Sequence, residues 1–200
     1  MKDINHAIKV LARFGSGLGA LILMAGCVTV SEYSFSFDYD TGEVRREYRN
    51  LASRQAPNEQ NYSVTNDWAQ VKKMQADPKP EFDPEVVADI SRELYQDGKV
   101  LSGRKLQKVQ APKCFPSKAA LFAYLHPQDW RWEMRNGEVL LFLPEGKKII
   151  ATNGHPLSSA KNAIIAWPQE TNRFDYVVSE QWSGGESLLP YYQKEQREEK

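Results

Sequence analysis

Few side chains in this 200-residue chain are nucleophiles, bases or soft metal ligands: there are two cysteines and three histidines. Cys27 and Cys114 are too few for a disulfide scaffold, and neither has a second cysteine at metal-ligand spacing. Cys114 lies in "APKCFPS", just ahead of a helix-capping serine, where a helix dipole would favour the thiolate. It is a candidate nucleophile, weighed against the plainer role of a small buried hydrophobe. A Cys–His pair would need His126 or His155, each followed by proline, and no spacing ties either to Cys114. No His-Glu-x-x-His and no glutamate–histidine pairing is present, so neither a dedicated metal site nor a cofactor is expected.

Trp130, Trp132, Trp167 and Trp182 fall in or beside predicted strands. Rows of aromatics on a strand face stack on sugar rings, which makes Trp130 and Trp132 candidate contacts for a glycan such as peptidoglycan. With Met134 the same residues form an apolar row at strand spacing, and such rows are usually core. "WSGGES", residues 182–187, holds serines and glycines but not the Gly-x-Ser-x-Gly nucleophile elbow. Asp38-x-Asp40-x-Gly42 has the oxygen ligands of a calcium loop, but the glycine comes one place early, so turn chemistry is the reading adopted. The 26 basic residues balance the 26 acidic ones, which excludes the basic surface of a nucleic-acid binder.

The residues that position Cys27 are more specific. Lys2, Lys9 and Arg13 precede an apolar run from Gly17 to Gly26, ten residues long. As a helix this run rises about 15 Å, half of a hydrocarbon core of about 30 Å, so it reads as a secretory signal and not a span. Gly15-Ser16-Gly17-Leu18-Gly19 has the wrong spacing for a phosphate-binding loop and lies within that leader. Leu23-Met24-Ala25-Gly26-Cys27 resembles the lipobox of bacterial lipoproteins, with Met24 where leucine is commonest. The resemblance implies cleavage between Gly26 and Cys27 and diacylglyceryl transfer to the Cys27 sulfur, often with acylation of the new amino terminus. It implies a cell-envelope address on a stable lipid anchor. Val28, in place of aspartate after the cysteine, points to the outer membrane facing the periplasm if the source is Gram-negative. Losing three bases and one acid with the leader leaves the remainder close to neutral.

Beyond Cys27, Tyr33, Phe35, Phe37 and Tyr39 alternate with polar residues, the period of a strand with one buried face. Asp40-Thr41-Gly42 turns it into a partner over Glu43–Tyr48. Arg45, Arg46, Arg49 and Arg54 read as a solvated basic face, with anionic lipid as the alternative contact. Residues 52–64 read as a polar connecting loop. Helices are predicted over 66–76, from the Asp83-Pro84 cap to Gly98 with Val86, Val87, Ile90 and Leu94 as its stripe, and after Ser117. Residues 99–110 read as a strand interrupted by Gly103. Then come alternation around Trp130–Met134, the Asn136-Gly137 turn, "EVLLFL", "IIAT", "AIIAW" and "RFDYVV".

The expected fold is therefore α+β: an N-terminal aromatic β-hairpin, about three helices and an antiparallel meander of about five strands in the C-terminal half. The expected divisions are a signal peptide (1–26), a lipidated tether with hairpin and polar loop (27–64), a globular domain (65–190) and a frayed charged tail (191–200). Three functions fit. The first is a non-enzymatic envelope lipoprotein for scaffolding, assembly or ligand contact, bound to the membrane through Cys27 and partnered by an envelope protein or peptidoglycan. The second is a membrane-tethered hydrolase using Cys114 or a serine. The third is a glycan-binding module using the sheet tryptophans.

Overall fold

The computed structural model describes residues 28–55, 62–76, 81–158, 163–179 and 185–198. The leader, Gly26, Cys27 and Trp182 lie outside the described residues.

A six-stranded antiparallel sheet organises the molecule. Its order is β5 (Val87–Asp97), β6 (Val100–Val109), β3 (Glu43–Arg49), β2 (Glu32–Asp38), β12 (Arg173–Ser179) and β9 (Lys148–Thr152). The aromatic hairpin predicted from period two is β2–β3, and it stands at the centre of this sheet. Asp38 builds its turn by accepting the backbone N–H groups of Asp40 (3.0 Å) and Thr41 (2.8 Å). Those bonds, Thr41 foremost, hold the Asp38 carboxyl below its ordinary pKa. Gly42 has φ +76°, and a Cβ there would stand 2.3 Å from the Val109 carbonyl oxygen, so only glycine fits.

The hairpin continues past the sheet. β1 (Val28–Thr29) pairs β4 (Ala52–Ser53) in the register already set by β2 and β3, after a bend at residues 30–31 and 50–51. β13 (Glu186–Ser187) adds to β4, making a small three-stranded sheet at the open end of the hairpin. A four-stranded sheet completes the fold in the order β10 (His155–Ser158), β11 (Ala163–Pro168), β8 (Glu138–Phe142), β7 (Arg131–Arg135). Its β7–β8 turn is the predicted Asn136-Gly137, with φ +53° and +78° as a type I′ turn demands.

Phe35, Phe37, Phe174 and Tyr176 from the large sheet meet Trp132, Leu141, Ile165 and Trp167 from the smaller one, with α2 (Lys118–Leu125) packed in the same core. Phe37, Phe122 and Phe174 are fully buried, each stabilising by about 1.5–3 kcal/mol relative to exposure. Ser117 caps α2, its Oγ accepting the Ala120 N–H, as predicted. A second cluster of Val28, Val30, Leu51, Trp68, Val71, Leu101, Leu188 and Leu189 lies at the open end of the hairpin. There α1 (Val64–Ala76) and α3 (Leu189–Glu198) provide the cover. The fold is α+β, antiparallel throughout its described ladders.

Several details correct the sequence expectations. The helix predicted from Asp83 to Gly98 exists only as one turn, in which Asp83 accepts the N–H groups of Val86 and Val87. The chain then becomes β5, because β6 offers a full edge of backbone groups that outweighs local helix preference. Ile90, placed on the helical stripe, is 56% exposed. The tail expected to fray is α3, held by buried Leu189, by Tyr192 edge-on to Trp68 (6.5 Å) and by Lys72–Glu195 (2.9 Å). β9 and β12 join the hairpin sheet while β7, β8, β10 and β11 form the other, so the C-terminal strands divide between two sheets. Val28–Val30, read as the start of a tether, is buried structure.

Candidate functional site

The predicted anchor residue is bonded directly to Val28, which is 2% exposed and paired with Ser53. Ser53 ties this end together: its Oγ donates to Asp67 Oδ2 on α1 and lies 3.0 Å from the Tyr62 hydroxyl. Gly185, at φ +131°, lets β13 approach β4 where a Cβ would stand 2.3 Å from the Ser53 carbonyl oxygen. No helix among the described residues is long and apolar enough to cross a membrane.

The four arginines read as one basic face are divided. Arg45 is exposed, Arg49 pairs with Glu32 (3.6 Å) and Asp97 (3.3 Å), and Arg46 is 2% exposed. Arg46 shares the inward face of β3 with Val44 and Tyr48. Its guanidinium donates to Gln107 Oε1 and to the Leu125 carbonyl, and it faces Glu81 at 3.7 Å. Lys105 donates to the same Glu81 carboxylate at 2.6 Å and stands 3.4 Å from Asp89. Asp89 in turn accepts from Gln107 (2.6 Å) and Arg92. Burial lowers the Lys105 pKa, with Glu81 opposing that shift. Sequence reading missed this network. The available signal was Arg46 at an inward position of the period-two pattern, between Val44 and Tyr48.

Beside the network is a cleft of about 80 Å³ between α1 and the large sheet. Val71, Met74, Leu51 and Leu94 give it apolar walls, with Arg92 and Lys105 at its charged side. Arg92 Nε is buried without a hydrogen-bond partner, as are Ser102 Oγ and Trp132 Nε1.

His126 is buried at the C-terminus of α2. Its Nδ1 lies 2.8 Å from the Phe122 carbonyl oxygen, which only accepts, so Nδ1 carries the proton. Nε2 then accepts from the Tyr176 hydroxyl at 2.6 Å. Burial, reinforced by the charge of Arg46, pushes the His126 pKa down to about 3, so the ring is neutral. With both nitrogens committed, His126 is not a base for Cys114.

Cys114 is a free, exposed thiol ending a 3-10 turn, Pro112–Cys114. The neighbouring Lys113 pairs with Asp40 in the hairpin turn (3.4 Å), which places Cys114 at the closed end of the hairpin, opposite Val28. Its exposure corrects the reading of a buried hydrophobe. Trp130 and Trp132 are 6% and 7% exposed; Trp132 stacks on Phe122 at 4.5 Å and Trp130 on His126 at 5.4 Å. Their rings are spent on the core and offer no open face to a sugar.

Among the described residues, Cys114 is therefore not assembled into one site with Trp130 and Trp132. Compared with protein-family models, with curated proteins and with solved structures, the chain matches none.

Proposed function

We propose that this chain is a lipid-anchored lipoprotein of the cell envelope whose folded domain works without catalysis, as a scaffold, assembly or ligand-contact module at the membrane surface. The observation that carries the reading is Leu23-Met24-Ala25-Gly26-Cys27, placed after a basic leader and a ten-residue apolar run. Acylation on the Cys27 sulfur and on the amino terminus would make the anchor stable, since one chain alone holds only marginally. Val28 after the cysteine favours the outer membrane, facing the periplasm, in a Gram-negative cell.

The non-catalytic half of the reading is supported by how the reactive groups are employed. His126 has both nitrogens occupied inside the core, and Trp130 and Trp132 are packing residues. Arg46, Glu81 and Lys105 satisfy one another in the interior. Mass spectrometry of protein extracted from membranes tests the reading, with an acylated peptide beginning at Cys27 as the expected result. A Cys27→Ser variant that stays equally membrane-bound and uncut would overturn it.

A further inference from the structure

We infer that the lipid on Cys27 is joined to the fold without a spacer, so that the domain stands on the bilayer with the open end of its hairpin down. The inference rests on the lipoprotein reading and adds an orientation to it. A flexible tether of n residues spans roughly 5–6 Å × √n and lets a domain tumble above the surface. Here Val28, the residue bonded to Cys27, is already buried and paired with Ser53. Consecutive Cα atoms are about 3.8 Å apart, so the acylated residue is held within one bond vector of a sheet that α1 and α3 pack against.

The strand registers say which parts lie at each end. Leu51 donates its N–H to the Leu101 carbonyl (2.8 Å), which brings the exposed Gly98–Lys99 turn to the level of Ser53 and Val28. Val109 donates to the Gly42 carbonyl (2.8 Å), and Lys113 reaches Asp40, so Cys114 belongs to the opposite end. β6 runs the whole way between them as a ten-residue strand, which at about 3.3 Å per residue separates the ends by roughly 30 Å. The bilayer therefore faces the Gly98–Lys99 turn, and the hairpin turn with Lys113 and Cys114 faces the aqueous compartment.

The native Cys114 thiol gives the test, because acylated Cys27 has no thiol left. The full acylated chain is reconstituted in phosphatidylcholine vesicles carrying a headgroup-linked energy acceptor. A donor is placed on Cys114, or on Lys99→Cys in a Cys114→Ser background. Transfer several-fold stronger from position 99 than from Cys114 is expected. A flexible Gly/Ser insert of about ten residues between Cys27 and Val28 should remove most of that difference. Equal transfer from both positions in the acylated, vesicle-bound chain overturns the orientation while leaving the anchor intact. A difference untouched by the insert also overturns the spacer-free attachment as its cause. A chain that carries no acyl group and does not float with the vesicles overturns the anchor and the orientation together.

Discussion

The Tyr176 hydroxyl donates to Nε2 of His126 at 2.6 Å, joining the last long strand of the large sheet to the end of α2. Phe35 lies against the His126 ring at 4.4 Å, so the bond closes inside an aromatic cage. A neutral imidazole that donates on one side and accepts on the other is satisfied there, while burial and the nearby charge of Arg46 penalise the protonated ring.

Stability should therefore depend on pH below neutrality. The unfolded histidine takes up a proton near 6.5, whereas the folded one resists down to about 3. The unfolded state binds more protons across that window, so stability falls as pH is lowered through it. The cost is about 1–2 kcal/mol between pH 7 and pH 5. Denaturant titrations at the two values measure it, and His126→Gln should flatten the pH 5–7 slope.

Tyr176→Phe removes the donor and leaves Nε2 of His126 buried without a partner. The expected loss is about 1–3 kcal/mol in equilibrium unfolding. The aromatic packing around Tyr176 is retained by phenylalanine, so an equal loss in the His126→Gln background would show that the hydrogen bond carries none of it.

Glu81 neutralises two cations in the interior, and Glu81→Gln should cost about 3–5 kcal/mol by leaving Arg46 and Lys105 facing each other. The Lys105 pKa, already lowered by burial, should then fall further. Unfolded lysine titrates near 10.4, so the unfolded variant binds more protons above neutrality. Its stability should recover as pH rises from 7 toward 10, and more steeply than that of the parent, whose Lys105 pKa is lowered less. Thermal unfolding across that range checks the sign.

Gly42→Ala places a methyl against the Val109 carbonyl oxygen at a positive φ. The backbone conformation alone costs about 1–3 kcal/mol, and the contact with the Val109 carbonyl oxygen adds to it. Gly137→Ala provides the comparison, because its φ is +78° with open space around the new Cβ. A smaller loss at Gly137 than at Gly42 in matched thermal melts is the expected ordering.

The local signals were legible in the chain. Alternation of Tyr33, Phe35 and Phe37 with serines, the Asn136-Gly137 turn and the Ser117 cap each involve neighbours in sequence. Backbone geometry alone converts them into a hairpin, a type I′ turn and a helix start. The resemblance to a lipobox is equally local, a matter of five consecutive residues. Partnership was not legible. Val87–Asp97 carries both a helical stripe and a strand's length, and the open edge of β6 decided between them. "QKEQREEK" has too few apolar residues to pack by itself, yet Leu188, Leu189 and Tyr192 ahead of it dock the helix. His126 meets Tyr176 and Arg46 meets Glu81 only because strands and loops distant in sequence close around them. By itself the sequence determined an antiparallel α+β chain with an aromatic hairpin. The tertiary structure decided that this hairpin is the spine of the molecule and that Val28, next to Cys27, is part of it, because burial and strand pairing depend on residues far apart in the chain.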